Sequence, residues 1–183
     1  RDLLIKDIQY NIAEALVTSK SQKELLEIIR KELSAIVNIN NFYIAFFDES
    51  TGMFKADVDA DEMDDIPEWP AEGSLSGYIL KTGKSLILTK KDILDLVEKG
   101  ITNVVGTLAE IWVAVPIKIT GKTIGVMAVQ SYKNPKRYDH NTLELLEIVA
   151  NQLSVFIERK QIEENTLKLS KAIEQSPSSI VIT

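Results

Sequence analysis

Two neighbouring segments, Ile111-Trp-Val-Ala-Val-Pro-Ile-Lys-Ile119 and Thr123-Ile-Gly-Val-Met-Ala-Val-Gln130, are the strongest strand signals in the chain, and only Thr120-Gly-Lys122 separates them. A connection that short makes them a tight antiparallel hairpin. Both strands are apolar almost without alternation, whereas a strand with one wet face alternates apolar and polar residues. They therefore belong to the centre of a sheet that is covered on both faces. Gly121 supplies the positive φ that such a turn needs, and Gly125 marks a close approach to the strand. Pro116 has no N–H, so it is expected at a bulge or with its nitrogen turned away from a ladder.

The remaining segments supply that cover. Asp2 to Val17 carries Ile5, Ile8, Ile12 and Ala15 at helical spacing. Ser21-Gln-Lys-Glu24 has the Ser-x-x-Glu form of a capping box and opens a second helix with Leu25, Leu26, Ile28, Ile29, Leu33, Ile36 and Val37 on its buried face, ended by Asn38 to Asn41. Phe42 to Phe47 and Met53 to Ala60 form a second hairpin around Gly52, and the acids alternating in Asp57 and Asp59 set its second strand near an edge of the sheet. Asp61 to Trp69, acidic and flanked by Pro67 and Pro70, is expected to be loop. Ser74 caps a short helix that Gly83 stops, Ser85 to Leu88 is a brief strand, and Thr89 caps a helix over Lys90 to Lys99.

Composition removes several chemistries. There is no cysteine, so a disulfide, a thiolate metal site and a thiol-linked chromophore are excluded from this sequence. A net charge of −6 without a basic patch argues against nucleic-acid contact. No apolar run is long enough to span a membrane, so no direct membrane contact is expected. His140 is the only histidine and sits beside Asp139 at a helix start, the place of a surface residue rather than of a haem ligand or base. The acidic run from Asp57 to Glu68 has the ligand spacing of a calcium-binding EF-hand loop, yet Glu62 stands where the sharp turn needs Gly and Pro67 blocks an exiting helix. No catalytic constellation and no metal site are expected.

The order of elements resembles the GAF family of small-molecule sensor domains. The strings that carry the resemblance are Gly77 to Ile87, Val115 to Ser131 and the helix that begins Thr142-Leu-Glu-Leu-Leu-Glu-Ile-Val-Ala-Asn-Gln-Leu153. The resemblance implies an α+β sandwich: a GAF-like or PAS-like antiparallel sheet of about five to six strands, the N- and C-terminal helices on one face, and short helices and loops over a ligand cavity on the other. On that basis the candidate ligand-binding residues are Phe46, Trp69, Ser74, Tyr78, Thr107 and Trp112. Core packing competes with a site role at each, most of all at Phe46 and Trp112, whereas Trp69 between two prolines suits a lid. Family members that attach a bilin do so through a cysteine that is missing here, and the cyclic-nucleotide motif is not matched by Asn134-Pro-Lys-Arg-Tyr-Asp-His-Asn141. Haem and cyclic nucleotide are therefore not expected, and the ligand stays unknown.

The last helix carries two stripes. Leu146, Val149, Ala150, Leu153, Phe156 and Ile157 suit packing on the sheet, and Ile148, Val155, Ile162 and Leu169 repeat every seven residues beyond it. The second stripe reads as the seam of a parallel homodimer and a relay helix. The tail Leu169 to Thr183 looks like the opening of a PAS domain. The expected organisation is a linker helix over 1–18, a GAF domain over 19–159, a signalling-helix linker over 160–171 and the start of a PAS domain over 172–183. The expected role is that of a cytoplasmic, non-enzymatic sensory domain of a signalling protein of the sensor histidine kinase type, with an output domain downstream. A ligand-free dimerisation module, or the sensor of a transcription regulator or cyclic-dinucleotide enzyme, is the alternative.

Overall fold

A computed structural model describes residues 1–175 of the chain. Helices α1 (Asp2–Thr18) and α2 (Gln22–Ser34) lead into strands β1 (Phe42–Asp48), β2 (Met53–Ala60) and β3 (Glu68–Pro70). Helix α3 (Leu75–Thr82), strand β4 (Leu86–Thr89) and helix α4 (Lys90–Glu98) precede the central hairpin β5 (Ile111–Ile119) and β6 (Lys122–Ser131), and α5 (His140–Glu174) follows. The sheet has six strands in the order β3-β2-β1-β6-β5-β4, every neighbouring pair antiparallel. This is the α+β architecture expected from the sequence.

The two faces are built from residues of different size. Phe42, Ile44, Val113, Val115, Ile117, Met127 and Val129 project toward α1, α2 and α5 and join Leu25, Ile29, Leu146, Leu153 and Phe156 in the larger core. The opposite row holds Ala45, Ala114 and Ala128, with Val126, and there α3 and α4 close down through Ile79 and Ile93. Short side chains let the helix approach the sheet. Gly77 serves a tight local turn instead, because a Cβ there would stand 1.7 Å from the carbonyl oxygen of Ala71, which leads into α3.

Local chemistry sets most element ends. Thr89 and Asp92 form a reciprocal capping box, and Ser74 Oγ accepts the Gly77 N–H. At α2 the Ser21 side chain accepts the Glu24 N–H as expected, but the Glu24 carboxylate accepts from Lys20 instead of completing the box. Helix α2 also stops at Ser34, short of Val37, because the amides of Ala35 and Ile36 turn tightly onto the Glu32 and Leu33 carbonyls. The β5–β6 turn consists of Thr120 and Gly121, at φ 49 and 81. Two positive values match the right-handed twist of the strands, at a steric cost for a β-branched residue. Pro116 lies past the last β4 pair, Leu86 with Ala114, where β5 is paired with β6 alone.

One correction concerns the acidic segment. Residues 61–67 form no helix or strand, but Glu68–Pro70 add an edge strand to β2, with Trp69 opposite Phe54. Three acids at the EF-hand ligand positions part ways: Asp57 accepts from Gln22, Asp61 from Gln130, and Glu68 pairs with Lys55. The EF-hand spacing therefore does not gather around one point, and no metal-holding cluster occurs among the described residues.

Candidate ligand-binding cleft

A cleft of about 100 Å³ opens at the N-terminal end of α3, between the sheet, α4 and the two loops that contribute residues 61–66 and 104–109. An apolar cavity of about 150 Å³ accepts a benzene-sized molecule, so this smaller, open space suits only a very small ligand or the head group of a larger one. Its floor comes from three strands. Tyr43 on β1, Trp69 on β3 and Trp112 on β5 all face it. Tyr43 meets Trp69 edge to face at 5.3 Å between ring centroids, and Trp69 stacks on Phe54 at 5.9 Å. Each such pair contributes about 1 kcal/mol beyond its buried area.

Polar groups tie these walls together. The Trp112 indole N–H donates to the Tyr43 hydroxyl at 3.3 Å, and the Tyr43 and Ser76 hydroxyls are 3.0 Å apart. Burial above all pushes the Tyr43 phenol up to about 12, the bonds to Ser76 and Trp112 opposing it in part. Asp64 pins the second loop: its carboxylate accepts the Thr107 N–H at 2.7 Å and the Thr107 hydroxyl at 2.9 Å. Asp61 accepts from Gln130 Nε2 at 2.8 Å and from the Tyr132 hydroxyl at 2.7 Å, and the same hydroxyl reaches Asp64 at 3.3 Å. Burial, then the Asp61 hydrogen bond and the charges of Asp61 and Asp64, hold the Tyr132 phenol far above its ordinary value.

Of the expected site residues, Trp69, Ser74, Thr107 and Trp112 line the cleft together. Trp69 does so as a wall, 8 % exposed on an edge strand, and not as a loop-borne lid. Phe46 is on the wrong face. It follows Phe42 and Ile44 in the alternation of β1 and packs in the core beneath the terminal helices, opposite Gly125, whose missing Cβ would lie 2.8 Å from the Phe46 ring. Tyr78 lies on α3 outside the lining. Ser74 is spent on structure, its hydroxyl accepting from Gly77 and donating to the Ala71 carbonyl, both at 2.9 Å.

Sequence reading missed Tyr43, Ser76, Gln130 and the carboxylates of Asp59, Asp61 and Asp64. A signal for Tyr43 existed. It shares a strand row with Ala45, and rows of small residues mark the face on which α3 and the cleft lie. His140 is the exposed first residue of α5, as its position beside the capping Asp139 implied.

Fold and cleft together define a class, an α+β module whose sheet carries the terminal helices on one face and a small recess on the other. The chain belongs to the GAF domain family, whose sequence profile matches residues 19–158. Members are regulatory modules of signalling proteins and are generally not catalytic. Solved structures agree on the fold. The GAF domain of A. aeolicus nlh2 in an inactive state superposes with a TM-score of 0.66 at 17% identity, covering 87% of this chain and 98% of that one. Free methionine-R-sulfoxide reductase from Neisseria meningitidis, in complex with its substrate, gives 0.68 at 13% identity over 86% and 91% of the two chains. A phycocyanobilin-bound GAF domain from a cyanobacterial phytochrome gives 0.64 at 14% over 87% and 96%. No curated protein matches the chain significantly. No helix among the described residues is long and apolar enough to cross a membrane.

Proposed function

We propose that this GAF domain is the cytoplasmic sensory module of a larger signalling protein of the sensor histidine kinase type, works as a parallel homodimer, and relays occupancy of the cleft through α5. The observation that carries the reading is α5 itself. It is one helix of 35 residues, with Leu146, Val149, Leu153, Phe156 and Ile157 buried in the core and every side chain from 161 to 174 exposed. That exposed part runs for roughly 20 Å, and a helix so short is marginal alone in water.

The apolar groups it exposes have a period. Val155, Ile162 and Leu169 are 51%, 59% and 64% exposed at intervals of seven, continuing from the half-buried Ile148. Helix α1 lies along α5 in the same direction, with Arg1 near Asp139 and the Gln9 carbonyl accepting from Gln152, and it exposes Leu3, Tyr10 and Val17, again seven apart. A second copy would cover these rows. Strand β5 offers the path from the cleft, since Trp112 faces the ligand space while Ile111 and Val113 pack in the core that holds α5. A PAS module and an output domain after α5 complete the proposal. Helix α5 passes unbroken through 160–171 and on to Glu174, while residues 176–183, where most of the expected PAS opening falls, lie outside the described residues.

Native mass spectrometry of the chain beside its denatured mass tests ligand and dimer together. A dimer carrying an added small mass is expected, and Ile162→Lys should convert it to a folded monomer. A bare monomer at micromolar concentration would overturn the relay. A bare dimer would favour a ligand-free dimerisation module, a reading to which the exposed heptad rows apply equally.

A further inference from the structure

The cleft is charged with one sign. Asp59, Asp61 and Asp64 present carboxylates, and no Lys, Arg or His stands among its lining residues. The groups that hold Asp61 and Asp64 are neutral: backbone amides of Met63, Asp64 and Thr107, the Thr107 and Tyr132 hydroxyls, and the Gln130 amide. Such bonds fix the carboxylates in place without cancelling their charge. Partial burial first, and then the charges of Asp61 and Asp65, raise the Asp59 carboxyl above its ordinary value.

The N-terminus of α3 carries roughly half a positive charge, but three carboxylates outweigh it. Ser74 Oγ, moreover, already occupies one of its free amides. Acids alone form a solvated cluster without a ligand, but these walls are aromatic. Trp69, Tyr43 and Trp112 all line the same space, and aromatic rings attract cations independently of any carboxylate. Ile66, Leu75, Ile93 and Leu108 add apolar wall that accommodates methyl or alkyl groups.

We propose that the cleft binds a small organic cation, a methylated or alkylated ammonium, with its nitrogen among the rings of Tyr43, Trp69 and Trp112 and facing Asp59. The assignment rests on the receptor reading above and narrows it to one charge class, since anionic ligands meet three carboxylates and no cation.

Both tryptophans of the chain line the cleft, so intrinsic fluorescence reports binding there. Choline and its uncharged isostere 3,3-dimethylbutan-1-ol, with acetate as anion, are titrated against the 183-residue chain. Choline is expected to saturate the signal and the isostere to bind about tenfold more weakly. Asp59→Asn, at an exposed side chain, is expected to weaken choline about fivefold while leaving the melting temperature unchanged. An isostere or acetate binding as tightly as choline overturns the cation assignment and leaves the receptor standing. Silence toward all three probes overturns the assignment, and the receptor reading is then decided by the native mass alone.

Discussion

The Trp112 indole N–H donates to the Tyr43 hydroxyl across the whole width of β6, the strand that separates their own strands β5 and β1. The contact exists because Ala128, opposite Tyr43 on β6, is too small to stand between them. It couples two walls of the cleft, and its removal has a measurable cost.

Tyr43→Phe keeps the ring but leaves the Trp112 N–H and the Ser76 hydroxyl without that partner. A loss of about 1–2 kcal/mol is expected in urea denaturation, with a shift in tryptophan emission. Unchanged stability would mean that water replaces the phenol at no cost.

Alkaline pH should act through the same residue. Its phenol is raised from 10.0 to about 12 in the folded chain, so between those values the unfolded state gives up a proton that the folded state keeps. Stability from this group is complete below pH 10 and falls as pH rises toward 12. Denaturation midpoints measured across that window should fall less steeply in Tyr43→Phe than in the parent chain.

Asp64→Ala removes the acceptor of both Thr107 donors and one acceptor of Tyr132. A cost of about 1–3 kcal/mol is expected, together with faster hydrogen exchange at the Thr107 amide. Slow exchange in the variant would show that the 104–109 loop is held by something else.

Thr120 occupies the left-handed region at φ 49, where a β-branched residue is strained. Thr120→Asn should raise stability by about 1 kcal/mol, read from the shift of the urea midpoint at constant slope. A loss would show that the Thr120 hydroxyl, which donates to the Ile119 carbonyl at 2.8 Å, matters more than the strain.

What the sequence determined by itself is local. The caps at Ser74, Thr89 and Asp139 and the Thr120–Gly121 turn depend on atoms a few residues apart, and the two hairpins follow from turns and flanking apolar runs. Local order and apolar patterning therefore lead to the sheet, its two covers and the family. Tertiary structure decided which side of each strand meets the ligand space. Phe42 to Phe47 is apolar in both its rows, so alternation separates Tyr43 from Phe46 without telling which row lies under the helices. It also decided the electrostatics of the cleft, because Asp61 finds Gln130 and Tyr132 only when the sheet brings together positions some seventy residues apart. A side chain's partners across that distance are set by packing of the whole chain, and no local periodicity encodes them.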